Sequence, residues 1–471
     1  MQSGGGMPFR RRTGPTARSC LPANIYMKNI SFFFLLFVLL HAACAAQQSR
    51  HPVVLISIDG LRPDFVFEAD HYGLKIPNLR HLLQQGSYAS GVRGVLPTVT
   101  YPSHTSLVTG VSPKRHCIEA NTTFDPFNRN FEGWYWYAED IKVPALWDAA
   151  TDSGLTTANV HWPVTVGARI TYNLPQLWRA GTEDDRKLLR ALSTPGLLPS
   201  LESELGPYAD GENEAIDGDE NRGRFVVRLI QQKKPDLTLA YFTALDTIEH
   251  ATGPFSPESR SVLERIDAVV GKVIQAAQET FKGRAIVAVV SDHGFVQTDH
   301  EVNLVGAFRD AGFIKFDAKG DKISSWDATV WPAGASAAIV LRDPANAELR
   351  EQVKKLLDGL AADPGHGIAK VLDGEKAHQL GGFSTASFVV GLKPGYKLAR
   401  DWRGPLVAKT PTTGMHGYLP SLPEMRSVLF LMGPGISEGK QLGEIDMRDI
   451  APTLAHFLGA SLKMAEGKSL F

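Results

Sequence analysis

The sequence predicts an α/β fold, a mostly parallel sheet flanked by helices with a smaller inserted region, and three observations carry that prediction. From residue 53 onward a short apolar run, a Gly or Pro and a helical stretch recur in that order, the alternation of a parallel sheet covered on both faces. The clearest runs, Val53 to Ile58, Leu237 to Phe242, Ala285 to Val290 and Ser427 to Met432, are dominated by β-branched and apolar residues, as strands buried on both faces should be. A composition of 43% hydrophobic and 21% charged residues over 471 positions allows a large core, in one large domain or two smaller ones.

Between these runs, helical patterns are expected over residues 76–85, 101–109, 143–151, 221–233, 257–280, 345–360 and 450–457. The alternation loosens between His293 and His416, and residues of about 301–414 read as an insertion or cap on the main sheet. The acidic stretch 210–220 lacks the regular spacing of a calcium loop and reads as a solvated loop leading into the next helix.

The first residues follow a different rule. Arg10, Arg11, Arg12 and Lys28 precede the apolar run Phe32 to Leu40, and small residues continue through Ala46. That is a signal-peptide pattern over residues 1–46, since a membrane span needs about 20 apolar residues. Met27 begins a well-proportioned signal peptide by itself and is an alternative start. Cys44 only loosely resembles a lipoprotein cleavage box, because His41 stands where a small or apolar residue is usual. The expected product is residues 47–471, exported to the periplasm or secreted, with no stable membrane span after cleavage. Of three cysteines only Cys117 remains in it, so no internal disulfide forms. With 49 basic against 50 acidic residues, net charge −1 supplies no field for a nucleic-acid polymer or an anionic membrane.

The chemistry concentrates where apolar runs end. Ile58 is followed by Asp59-Gly60, Phe242 by the segment reaching Asp246, and Val290 by Ser291-Asp292-His293-Gly294. Ligands of open α/β sheets bind outside the carboxyl ends of strands, so these groups should converge on one rim. Asp246 and His250 are four residues apart and face one ion if the segment is helical. His416 lies between Gly414 and Gly417. Taken singly, each is more often a turn, cap or surface residue. As a set, Asp59, Asp246, His250, Asp292, His293 and His416 point to metal binding, and oxygen and imidazole donors without paired cysteines suit zinc. The segment Pro97-Thr98-Val99-Thr100-Tyr101-Pro102-Ser103-His104 offers a hydroxyl at a helix entry, where free amides favour a phosphate. A metal can activate such a hydroxyl as nucleophile; an N-cap is the alternative use.

In this order, Asp59-Gly60-Leu61-Arg62, Thr100 to His104 with Leu107-Val108-Thr109-Gly110, Asn121, Asp246 to His250 with Gly253-Pro254, Ser291 to Gly294, and His416-Gly417-Tyr418 with Met425-Arg426 and Gly433-Pro434 resemble the nucleotide pyrophosphatase/phosphodiesterase family of the alkaline phosphatase superfamily. The resemblance covers residues of about 53–460. It implies an alkaline phosphatase-like fold and two zinc ions, one on Asp246, His250 and His416, the other on Asp59, Asp292, His293 and the Thr100 oxygen. Among the nearby hydroxyls of Thr98 and Thr105, it selects Thr100 as the nucleophile that forms a phosphothreonine, and it assigns Asn121 as donor to a phosphoryl oxygen.

Departures from the family pattern matter as well. Tyr101-Pro102-Ser103-His104 stands where Phe-Pro-Asn-His is usual, which leaves Tyr101 an aromatic face for a nucleobase; Trp134, Tyr135, Trp136 and Tyr137 are further aromatics for that slot or for the core. A related monoesterase branch carries a Lys-x-Arg pair that residues 159–167 lack, so a monoanionic diester, such as a nucleotide, is the expected substrate. The alternatives are an alkaline phosphomonoesterase, a phosphonoacetate hydrolase, and an exported metal-binding protein without catalysis, against which the complete ligand and nucleophile set argues.

Overall fold

The computed structural model describes residues 50–130, 133–177, 182–209 and 213–471. The chain divides into a unit over Met1–Ser49 and a unit over Arg50–Phe471; the expected signal peptide lies outside the described residues, and the elements named below all belong to the second unit.

Its main sheet has eight strands: β1 (Val53–Ile58), β2 (Ser87–Tyr88), β3 (Thr157–Val160), β4 (Tyr172–Leu174), β5 (Leu237–Phe242), β6 (Ile286–Val290), β7 (Leu429–Met432) and β8 (Lys440–Gln441). Their order is β8-β2-β7-β6-β1-β5-β3-β4. The central strands β6, β1, β5 and β3 run parallel, and β7 enters antiparallel beside β6. The sheet is therefore mostly parallel, as the sequence predicts. Every residue of β1, β5, β6 and β7 is buried, because helices cover both faces and leave no side for water.

Four helices matter for the site: α1 (Thr100–Thr109), α2 (Ile216–Lys233), α3 (Ala244–Thr252) and α4 (Pro257–Phe281). α2 and α4 approach closely at Gly223, where a Cβ would lie 2.3 Å from Val269. One expectation is corrected here. The stretch that reads as a solvated loop up to residue 220 is helical from Ile216, and Asp219 inside it is fully buried. Its negative charge is met by Arg222, one turn further on, rather than by water.

Between β6 and β7 the chain builds a three-stranded sheet (Gly395–Leu398, Val296–Val302, Val407–Met415) and a four-stranded antiparallel one (Ala328–Ala333, Ser336–Leu341, Phe388–Leu392, Ile368–Asp373). Along Ser336–Leu341 alternate residues serve opposite faces. Ala337, Ile339 and Leu341 pack with Val353, Leu357 and Leu360 of the helix Ala347–Ala362, whereas Ala338 packs with Leu96 and Val99. The second face thus braces the backbone that leads into Thr100.

Candidate active site

The parallel register aligns the strand ends. Ile58 pairs with Phe242 and Ser57 with Val290, so Asp59, the start of α3, and Asp292-His293 emerge on one rim. Immediately after β1, Gly60 adopts φ 74°, and a Cβ there would sit 2.8 Å from Glu249, itself buried with both carboxylate oxygens unpartnered. A left-handed turn this close to a side chain requires glycine.

All six sequence-predicted acid and histidine ligands come together. His293 Nε2 lies 3.4 Å from Asp59 Oδ1 and 3.1 Å from Asp292 Oδ2. On α3, His250 Nε2 lies 3.4 Å from Asp246 Oδ2, whose other oxygen is 3.6 Å from His416 Nε2. Donor atoms of Asp59, Asp292 and His293 fall within 4.8 Å of one another, as do those of Asp246, His293 and His416; His293 stands between the two groups and stacks on His416 at 3.7 Å.

The residues fit a divalent cation. Asp59 Oδ1, Asp246 Oδ1 and Asp292 Oδ2 are buried without any hydrogen-bond partner, a costly state unless something positive meets them. Each imidazole turns Nδ1 to a backbone carbonyl, His250 to Gly414 (3.3 Å), His293 to Gly294 (3.2 Å) and His416 to Thr98 (3.2 Å). Donating there leaves the Nε2 lone pairs aimed at the cluster. Burial, then repulsion from the neighbouring acids, holds Asp59 and Asp246 well above the usual carboxylate range. Burial pushes Asp292 up to about 7 and His250 down to about 4. His293 and His416 are driven well below the usual range by burial first. Acids that resist charging together and imidazoles kept neutral are the chemistry of a metal donor set.

Thr100 is the first residue of α1 and its Oγ1 lies 3.4 Å from His293 Nε2. Competing hydroxyls are engaged elsewhere: Thr98 donates to Tyr418 O (2.7 Å) and Thr105 to Tyr101 O (2.8 Å). Asn121 accepts from the Tyr101 amide at 2.9 Å through its side-chain oxygen, which turns its NH2 away as a donor. Tyr101 departs from expectation. Its ring is fully buried with Ile118 and Val164, its hydroxyl donates to Gln176 at 2.9 Å, and Trp134 packs against it edge-on at 5.1 Å. No face is open for a base, because a small apolar cluster fills the space around the ring.

Sequence reasoning missed three participants. Tyr241, the polar-tipped residue within β5, donates to Asp59 Oδ2. His104 is held between Thr100 O and Ser57 Oγ (both 2.9 Å) beneath the helix start. Asp219 accepts from the first amides of α3. Tyr241 announces itself only as a polar-tipped residue in an otherwise buried strand, and Asp219 only as one acid among several in a polar stretch. The region without a Lys-x-Arg pair is occupied by Asn159, whose amide bonds Thr165 (3.0 Å) and Asn173 (2.8 Å).

The family model for type I phosphodiesterase / nucleotide pyrophosphatase matches residues 53–419. This chain belongs to that family. Its members are phosphoric diester hydrolases, and the matched span includes every acid and histidine ligand above, Thr100 and Asn121. Ectonucleotide pyrophosphatase/phosphodiesterase family member 5 of Homo sapiens is 24% identical over 433 residues, covering 90% of this chain and 78% of that protein. Bis(5'-adenosyl)-triphosphatase of Bos taurus is 23% identical, covering 90% and 82%. Among solved structures, human ectonucleotide pyrophosphatase/phosphodiesterase 5 superimposes with a TM-score of 0.64 at 20% identity, covering 88% of this chain and 97% of that one. The inactive murine counterpart in complex with AMP gives 0.63 at 19%, covering 89% and 97%. These establish the alkaline phosphatase-like fold of this phosphodiesterase-family chain.

Proposed function

We propose that the chain is an exported, zinc-dependent phosphodiesterase that transfers a phosphoryl group to Thr100 and then to water. One observation carries this reading: Thr100 Oγ1 adjoins His293 Nε2 at 3.4 Å, inside a ring of buried carboxylate oxygens that lack partners. Asp246, His250 and His416 would hold one zinc, and Asp59, Asp292, His293 and the Thr100 oxygen the other. When bound, two zinc ions supply the positive charge that lowers the pKa of a hydroxyl and offsets charge on phosphoryl oxygens.

The chain's own groups do the rest. Thr100 Oγ gives up its proton to solvent and bonds to phosphorus as the bond to the leaving alcohol breaks, the departing oxygen taking up a proton in its turn. Water then cleaves the phosphothreonine, returning the hydroxyl. Asn121, oriented by the Tyr101 amide that its side-chain oxygen accepts, donates its NH2 to a phosphoryl oxygen. His104 fixes the Thr100 backbone, and Tyr241 orients Asp59.

A diester fits better than a monoester because residues 159–167 lack the Lys-x-Arg pair that would balance a second negative charge. Of the candidate cations, Arg62 is committed to Asp64 and the Phe295 carbonyl and Arg169 to Asp152, while Arg179 lies outside the described residues. The AMP held by the murine relative supports a nucleotide as the substrate class. No helix among the described residues is long and apolar enough to cross a membrane, and export rests on the N-terminal pattern. The test compares nitrophenyl esters: kcat/KM for the diester should exceed that for the monoester by roughly 10- to 100-fold, about 1.4 to 2.7 kcal/mol in transition-state binding. Preference for the monoester would transfer the assignment to a phosphatase.

A further inference from the structure

We infer that Asp219, neutralised by Arg222, is a positioning residue that holds the helix bearing Asp246 and His250 in the attitude needed to take a divalent cation. The inference rests on the metal reading above and adds a group that touches neither metal nor substrate.

The geometry is specific. α3 starts directly after β5, and its cap residue, Thr243, makes no capping bond with its own side chain. Asp219, reaching across from α2, accepts from the Thr243 amide at 3.1 Å and the Ala244 amide at 2.8 Å. A carboxylate at a helix start satisfies free amides and opposes the positive end of the dipole, and here it comes from another helix. Arg222 Nη1 closes the arrangement, 3.0 Å from Asp219 Oδ1 and 3.3 Å from Thr243 Oγ1, and Nη2 donates to Asn213 O at 2.5 Å. Both charged side chains are fully buried.

Such a pair is an uneconomical way to stabilise a fold, because removing two charges from water costs about as much as their attraction returns. What it does well is fix direction. α3 is nine residues long, and Asp246 is its third and His250 its seventh, so a rotation at the first amides swings both ligands. Asp246 Oδ1 lies 3.6 Å from Nε2 of His416, which stands on another segment; a small swing of α3 would open that distance. The other ligand group, Asp59 and Asp292 with His293, follows β1 and β6 rather than lying on α3.

The experiment is a zinc titration of metal-stripped wild-type protein and of Asp219→Asn against a chromophoric chelator, alongside amide hydrogen exchange of both. Asp219→Asn keeps the shape and one acceptor and removes the charge. The result expected is a fall of roughly 10- to 100-fold in one of two zinc association constants, as for groups that orient ligands, the other constant unchanged, and faster exchange at Thr243 and Ala244. Phe225→Leu, a buried change elsewhere on α2, should lower the thermal midpoint without moving either constant, which separates positioning from general destabilisation. Two unchanged constants in folded Asp219→Asn overturn the inference, as does an equal fall in the Phe225→Leu control. Wild-type protein that binds no zinc overturns the metal reading and the inference's metal role with it, whereas exchange in the metal-free protein still reports whether Asp219 holds the helix.

Discussion

The two flanks of Thr100 are built on opposite plans. On one, Asp59, Asp246 and Asp292 are buried or nearly so, each with one oxygen that accepts no hydrogen bond, while imidazoles are fastened by Nδ1 and turn Nε2 to the cluster. On the other, Tyr101 is buried with its hydroxyl bonded to Gln176 and its ring enclosed by Ile118 and Val164. Both flanks sit within a few residues of the same hydroxyl. A buried polar atom without a partner marks a place prepared for something else, whereas a buried ring with its polar tip satisfied is finished structure.

Metal removal should break the first flank most completely. Dialysis against a chelator is expected to abolish diester hydrolysis, and zinc to restore it; full activity in protein shown by elemental analysis to be metal-free would refute the donor-set reading. Zinc should also raise the thermal midpoint, by about 2.7 kcal/mol of stabilisation at a hundred times Kd. Next in size, Thr100→Ala should cost at least about 100-fold in kcat with folding and metal content nearly intact, and Thr98→Ala far less. Wild-type turnover in Thr100→Ala would remove the nucleophile assignment.

On the second flank the expected loss is in stability. Tyr101→Ala should destabilise by about 3–5 kcal/mol, as for other buried aromatics, and Tyr101→Phe by about 1 kcal/mol for the hydrogen bond. Differential scanning calorimetry tests both. A Tyr101→Ala protein as stable as wild type, yet with selectivity for nucleotide esters erased, would reverse the comparison and return the ring to substrate binding.

The smallest effect is expected at Asp446, which pairs with Arg448 and Arg93. Burial raises its pKa, but hydrogen bonds from Arg448 and Arg93 outweigh burial and bring it down to about 2 from 3.8. A depressed acid stabilises the fold above its unfolded pKa and loses that contribution as pH falls through the folded value. The stability gap between wild type and Asp446→Asn should therefore be present at pH 7, shrink below about pH 4 and close near pH 2. Solvent screening keeps it under about 1 kcal/mol. A gap that widens on acidification would contradict the ion-pair account.

Much of the ligand set is legible in the sequence because it obeys local rules. Asp59, Asp292 and His293 follow apolar runs directly, and Asp246 and His250 have helical spacing. Asp219 and Tyr101 mislead for one shared reason: an acidic run suggests solvent and an aromatic beside a nucleophile suggests a ligand, until the partners that bury them are known. Those partners, Arg222 with the α3 amides and Gln176 with Val164, are decided by packing of distant segments.

The sequence by itself determined the βα alternation, the strand ends that carry acid and imidazole, and the residue types that exclude thiolate and favour oxygen and nitrogen donors, since each depends on neighbours within a few positions. Only the tertiary structure decided that His293 stands between both ligand groups, that Thr100 rather than Thr98 or Thr105 adjoins them, and that Asp219 on α2 caps α3. These depend on the 3.1 to 3.6 Å meeting of groups far apart in the chain, distances that the packing of separate elements sets and no local pattern records.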